Sequence, residues 1–456
     1  MNLCWPEKPK VFEPAGPKSE PAKSYPPELV EVETCNWAIC AAALNKFSEN
    51  KVDDPLVGMD EPGAFEEFGK ETVALSLQSQ AKEVPVYVNE FWTAGQRQAN
   101  KLHEISYRAC FKPQLPRFFI DRLTQPGDRV YDPFMGRGTT LIEAALLGRV
   151  PLGCDVNPLS SLLTAPRLRI PSLSDVEKRL QAIPWDDPID TREDLLAFYH
   201  PTVLNRLSNL RQYFIDRRAA GTNDCVDDWI QMVATNRLTG HSPGFFSVYS
   251  MPPNQAVSVE SQIKINEKRQ QTPPERDLIT IILKKSRALM KEIDETQRAS
   301  LAKLAEDSLL LAQPCDDTPE IASDSVSLVV TSPPFLQIVA YELDNWLRCW
   351  FNGINPKDVE LWQIQKPAAW QAKMTDVMRE LRRVLKPGGH IAFEVGEVNH
   401  GKIKLEELVA PAGLDAGLEV DLVLINDQDF TKTSNCWGVS NQSKGTNTNR
   451  IVVLRK

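Results

Sequence analysis

From about residue 86 the chain's apolar positions fall into short runs separated by stretches of helical periodicity. Over 103–123 apolar residues take helical spacing after Pro116, and Gln125-Pro126-Gly127-Asp128 ends the pattern. Residues 129–131 read as a strand, the segment DPFMGRGTT (132–140) as a glycine loop, and 141–149 as a helix with Gly148 near its end. Residues 150–155 form a second apolar run closed by Asp155. Strand, glycine loop, helix, strand and acid make half of a doubly wound α/β sheet. The alternation then lapses. Residues 171–305 are mostly helical in pattern, as at 195–218 and 276–304, and are broken by 240–255. Strands return at 308–312 and 326–330, followed by a helix over 369–385, a turn at 386–389, and strands at 390–396, 418–425 and 450–456. The predicted fold is α/β, a mostly parallel sheet domain over 86–170 and 306–456, interrupted by a helical insert over 171–305.

Composition alters this picture at the N-terminus. The chain carries a net charge of −9 over 456 residues. Residues 1–85 hold 8 Lys+Arg against 15 Asp+Glu, which leaves 44 against 46 for the rest, so the acidity is mostly N-terminal. Seven prolines among the first thirty residues predict an extended arm, and 1–85 is read as a Pro-rich acidic arm of unknown role. No run of about 18 apolar residues and no signal-peptide core occurs, and the nine cysteines are scattered without a CxxC pair. The expectation is a cytoplasmic, nucleoid-associated protein with reduced thiols. The histidines show no ligand spacing, and no metal is expected.

Two segments carry chemistry. In the loop, Gly136 and Gly138 allow close approach of backbone to a ligand, Asp132 precedes a rigid Pro133-Phe134, and Thr139 and Thr140 follow. Asp155, about twenty residues on, stands where an acid receives ribose hydroxyls in nucleoside-cofactor folds. The loop lacks a Lys-Ser/Thr ending, which argues against a triphosphate. The second segment is Thr331-Ser332-Pro333-Pro334-Phe335, directly after a strand. Two prolines turn the backbone out of the ladder, so that Ser332 Oγ and the Pro333 carbonyl accept protons from one exocyclic amine while Phe335 stacks on a planar base.

DPFMGRGTT together with TSPPF resembles the amino-methyltransferase family of DNA methylases, which act on cytosine-N4 or adenine-N6 with S-adenosylmethionine. The resemblance extends to FKPQLPRFFIDRL, GCDVNPLS, LKPGGHIAFEVGEV and KGTNTNRIVV. It implies a class I S-adenosylmethionine-dependent methyltransferase sheet, with Phe111, Asp132, Pro133, Phe134, Gly136, Gly138, Thr139, Thr140 and Asp155 on the cofactor and Ser332, Pro333, Pro334 and Phe335 on the target base. Asp316 stands in for the acid that such enzymes place beside the adenine. Pro314-Cys315 resembles the nucleophile pair of cytosine-C5 methylases, but the SPP segment already occupies that strand end, so Cys315 is read as an ordinary small residue. Ser before the two prolines favours cytosine-N4 over adenine-N6. The implied partners are double-stranded DNA and a cognate restriction endonuclease, with no membrane. RNA base methylation and a non-catalytic binding protein are the competing readings.

Residues 229–291 hold nine Lys+Arg against four acids, with Trp229, Phe245, Phe246 and Tyr249 interleaved. The insert is therefore the expected target-recognition region, and Arg237, Lys264, Lys268 and Arg269 are its candidate DNA contacts.

Overall fold

A computed structural model describes residues 65, 71–80, 82–93, 99–107, 110–252, 255–334, 341–359, 361–362, 364–398, 403–427 and 448–456. The arm before residue 65, Phe335, and 444–447 of the KGTNTNRIVV segment lie outside the described residues.

The sheet has nine strands: β1 (Val73–Ser79), β2 (Lys82–Asn89), β3 (Arg129–Asp132), β4 (Val150–Cys154), β5 (Leu309–Leu311), β6 (Val326–Thr331), β7 (Leu385–Val395), β8 (Glu419–Asp427) and β9 (Thr448–Arg455). Their spatial order is β1-β2-β8-β9-β7-β6-β3-β4-β5. From β5 to β7 all neighbours are parallel, whereas β9 runs antiparallel to both β7 and β8. The chain reverses its winding at β3, the first strand laid down in the parallel half, so the C-terminal ends of β3 and β6 form a switch-point crevice.

Strand periodicity decides which helices cover which face. Tyr131, Val329, Ile391 and Phe393 face a core with α11 (Pro367–Val384) and α12 (Glu406–Asp415), while Val130, Leu328, Val330 and Ala392 face α1 (Gln114–Leu123) and the Ala144 side of α2 (Thr139–Leu146). Between β4 and β5 the regular elements of the described chain are helices: α3 (Pro158–Thr164), α4 (Leu173–Ala182), α5 (Pro201–Ala219), α6 (Cys225–Thr235), α7 (Val259–Arg269), α8 (Leu278–Leu289) and α9 (Glu295–Glu306). Their shared core continues into the sheet domain through Ile142 and Ala145 on α2 and Leu347 and Phe351 on α10 (Tyr341–Asn352). The described insert therefore has no separate hydrophobic centre. No helix among the described residues is long and apolar enough to cross a membrane.

Four features differ from the pattern reading. The sheet begins at Val73, before the boundary set at residue 86, because β2 pairs in parallel with β8 and hairpins back to β1 through Gln80 at φ +54°. The helical stretches 195–218 and 276–304 are each broken, at His200-Pro201 and at Met290–Asp294, where Asp294 starts a new helix with a capping box. The helix expected after Pro116 starts two residues earlier, at Gln114. The turn at 386–389 is an excursion inside β7, since Val326 pairs with Leu385 but Leu328 with His390.

One buried side chain ties the added hairpin to the rest. Asn426 Oδ1 accepts the N–H groups of Phe91 (2.7 Å) and Trp92 (3.1 Å), and its amide donates to the Trp92 carbonyl. Asn426→Ala leaves two buried donors unsatisfied, so a loss of about 2–4 kcal/mol in urea-unfolding free energy is expected.

Candidate cofactor and target-base site

The two chemistry-bearing segments meet at one edge of the sheet, because β3 and β6 are parallel neighbours. Two hydrogen bonds lock their ends. Thr331 Oγ1 donates to Asp132 at 2.6 Å, and Thr140 Oγ1 donates to the Val330 carbonyl at 3.0 Å. Asp132 also receives the Phe134 N–H at 3.1 Å. Burial pushes its carboxyl up to about 7, against the pull of those donors. Burial likewise raises Asp155, whose two oxygens accept the N–H groups of Gly136 and Asn157, each at 2.9 Å.

The loop uses most of its donors on itself. Met135 N–H goes to the Cys154 carbonyl, Gly138 N–H to Met135, and Gly136 N–H to Asp155. The expected presentation of backbone donors to a ligand is therefore corrected: this loop offers a shape more than a row of N–H groups. The two glycines also separate in role. Gly138, at φ +73°, starts α2 so close to α3 that a Cβ would lie 2.3 Å from Thr164 Oγ1. Its requirement is packing. Gly136, at φ +48°, is the glycine with room above it, its Cβ position meeting nothing nearer than the Tyr107 ring at 3.8 Å.

A strap, residues 101–107, runs across this loop. Arg137 Nη1 donates to the Ile105 carbonyl (2.8 Å), Arg167 Nη1 to the Leu102 carbonyl (3.2 Å), and Asn157 Nδ2 to the Tyr107 hydroxyl (3.0 Å). From the far side Arg348 Nη2 on α10 reaches the Ser106 carbonyl (3.0 Å), and Asn236, just after α6, accepts the Ser106 N–H (2.9 Å). Buried Glu143 holds His103 at 2.7 Å and Arg117 at 2.6 Å, which joins the strap to α1 and α2.

At the SPP segment, buried Glu394 on β7 accepts from Asn449 Nδ2 at 2.9 Å and lies close enough to the Ser332 hydroxyl to feel it. Burial raises the Glu394 carboxyl above its ordinary range. The Pro334 carbonyl accepts from Trp370 Nε1 at 3.1 Å, which fixes the second proline. The ring expected to stack on the base, Phe335, lies outside the described residues. Within them Phe134 and Trp362 meet edge to face at 6.0 Å, with Lys373 Nζ 4.3 Å above the Trp362 ring.

The remaining expected residues fall as follows. Pro133, Thr139 and Thr140 are buried in the loop, with Thr139 Oγ1 accepting from Arg137 Nε at 3.2 Å. Phe111 packs against the aromatic core under α1. Asp316 is paired with Lys373 Nζ, so its carboxylate is already engaged. Cys315 is buried, and burial raises its thiol well above the ordinary range, as suits a small core residue and not a nucleophile. In the insert, Lys264, Lys268 and Arg269 lie exposed on α7, with Arg269 stacked 3.7 Å over Tyr249, while Arg237 stands apart from them after α6, 4.0 Å over Phe245. Trp229 and Phe246 are core residues, Trp229 donating to Ser286 Oγ at 3.0 Å, so these two interleaved aromatics are not on a DNA-facing surface. Sequence reasoning missed Glu394, Trp362, Tyr107 and Asn157. Only Asn157 left a local signal, as the cap before Pro158 that opens α3.

The donor set fits S-adenosylmethionine. Two carboxyls held at raised pKa beside an open glycine suit a ligand bearing an ammonium and a sulfonium, and Asp155 keeps lone pairs for hydroxyl donors.

Two outcomes follow for the loop. Gly138→Ala is expected to lose about 2–4 kcal/mol, with part regained in Gly138→Ala/Thr164→Ala, because the double variant removes the closest clash but not the left-handed backbone. Asp132 binds a proton in the folded chain at pH values where the unfolded chain has released it. Stability from this group therefore falls as pH rises from about 4 to about 7, and Asp132→Asn should flatten that part of a urea-midpoint profile.

A family model described as DNA methylase matches residues 35–160. The type II methyltransferase M.MjaII of Methanocaldococcus jannaschii is 35% identical over 74 residues, 16% of this chain and 14% of its own. M.MvaI of Kocuria varians is 41% identical over 61 residues, 13% of either chain. M.BsoBI of Geobacillus stearothermophilus is 23% identical over 309 residues, 59% of this chain and 57% of its own. The matches thus span less than two thirds of each relative. With the loop and the SPP segment joined at one crevice, the chain is similar, over these segments, to the amino-methyltransferase family of DNA methylases.

Proposed function

We propose that the protein transfers a methyl group from S-adenosylmethionine to the exocyclic N4 amine of a cytosine turned out of duplex DNA. The observation that carries this reading is the stitched crevice, in which Thr331 bonds Asp132 directly beside Ser332. When bound, S-adenosylmethionine supplies an electrophilic methyl group. Asp155 is proposed to take the ribose hydroxyls, Gly136 to give room for the methionine side, and Asp132 to favour its positive charge.

Ser332 does the orienting on the target side. A hydroxyl proton turned toward nearby Glu394 would leave the Ser332 lone pairs for the amine N–H. An aryl amine is a weak nucleophile because its lone pair is delocalised into the ring. Acceptors at Ser332 Oγ and the Pro333 carbonyl favour the pyramidal nitrogen whose lone pair attacks the methyl carbon. The C–S bond breaks as the C–N bond forms, and the amine proton leaves toward Ser332 and Glu394 or water. Cytosine-N4 is favoured over adenine-N6 by Ser at position 332, and the type II names of the relatives favour a modification role beside a cognate restriction endonuclease.

Nucleoside mass spectrometry of DNA from expressing cells should show N4-methylcytosine, whereas methyladenine alone would replace the cytosine assignment with adenine-N6. Ser332→Ala is expected to slow methyl transfer by about 10²–10³ while cofactor binding, read by calorimetry, stays near wild type.

A further inference from the structure

Three cations converge where the strap meets the insert. Lys101 Nζ lies 2.9 Å from Glu104 Oε1, and Lys285 Nζ on α8 lies 3.6 Å from Glu104 Oε2. Arg237 stands over the Phe245 ring, its Nε bonded to the Asn236 carbonyl at 2.8 Å, close enough to feel both Lys285 and Glu104. The carboxylates facing the group are Glu104 and Glu292, the latter accepting the Lys101 N–H at 3.2 Å. Glu104 is thus shared between two ammonium groups and stands near the guanidinium as well.

The surroundings extend the charge. Lys284, Arg287 and Lys291 are exposed on and just beyond α8, spaced three and four apart so that they share a face, and none pairs with a carboxylate among the described residues. α8 packs on the strap, and the strap ends at Tyr107 beside Gly136. The positive surface therefore leads from the insert toward the crevice.

We propose that Lys101, Arg237 and Lys285 form a phosphate-gripping site for the nucleic-acid backbone, in which Glu104 is an internal stand-in for the phosphate and the exposed face of α8 continues the track. The proposal rests on the DNA reading above. Phosphate carries the same charge as the Glu104 carboxylate with more acceptor oxygens, so it competes for the same donors. A basic surface of this kind contributes affinity and register without base readout. Burial and the neighbouring Arg237 hold the Lys285 ammonium down at about 8, a cost that an added phosphate relieves.

The test is fluorescence anisotropy of a labelled duplex across a potassium chloride series, with the full chain. Lys285→Gln should weaken binding to duplexes of any sequence and reduce the slope of log affinity against log salt by about 1, while Lys285→Arg keeps the slope. Glu104→Gln should bind several-fold tighter, about 3- to 10-fold at low salt, a gain that a damaged fold does not produce. Glu104→Gln binding weaker than or equal to wild type, with wild-type binding intact, overturns the phosphate site. Failure of the wild-type chain to bind any duplex overturns the DNA reading itself.

Discussion

The parallel pairing of β3 with β6 is the constraint on which the site rests. Asp132 and Thr331, at the ends of those strands, are 199 positions apart in the chain, yet they must coincide for the glycine loop and Ser332 to share a crevice. Main-chain pairing covers only Val130 with Leu328 and Tyr131 with Val329. The register is completed by side chains, through Thr331 on Asp132 and Thr140 on Val330. Both bonds are buried, where a polar group without its partner is costly, so each also penalises a slipped register.

Much of this was legible because strands and loops of an α/β sheet punctuate strongly. Asp132, Gly136 and Asp155 announced themselves by residue type and spacing, and the structure joins the last two through the Gly136 N–H on the Asp155 carboxylate. Other parts were not legible. Gly138 looks like Gly136 in sequence, and only the approach of Thr164 separates a packing glycine from one with open space above it. Glu394 sits in an ordinary strand, with nothing local to mark its place beside Ser332. Trp229 and Phe246 are aromatic neighbours of basic residues, but burial in the helical core decides their use. The β1–β2 hairpin was hidden by the acidic composition around it.

The electrostatics divide by region. Carboxyls with raised pKa gather at the cofactor edge, at Asp132 and Asp155, and Glu394 adds a third on the target side. Cations with lowered pKa gather beneath and beside the strap, at Arg167, Arg237 and Lys285. In both cases burial is the largest cause, and it disfavours the charged form of either sign. The protein thus holds opposite charges close to one another in half-desolvated surroundings, ready to respond to ligands of opposite sign.

The strap has a consequence for how such a chain can change over evolutionary time. Its backbone is gripped by Arg137 and its Tyr107 hydroxyl by Asn157, both from the sheet domain, while Asn236 and Arg348 hold it from elements far along the chain. Exchange of the helical portion for an unrelated one would strip an anchor from the segment that roofs the glycine bend. The fold therefore tolerates altered surface side chains on the helical portion more readily than its replacement by a foreign module.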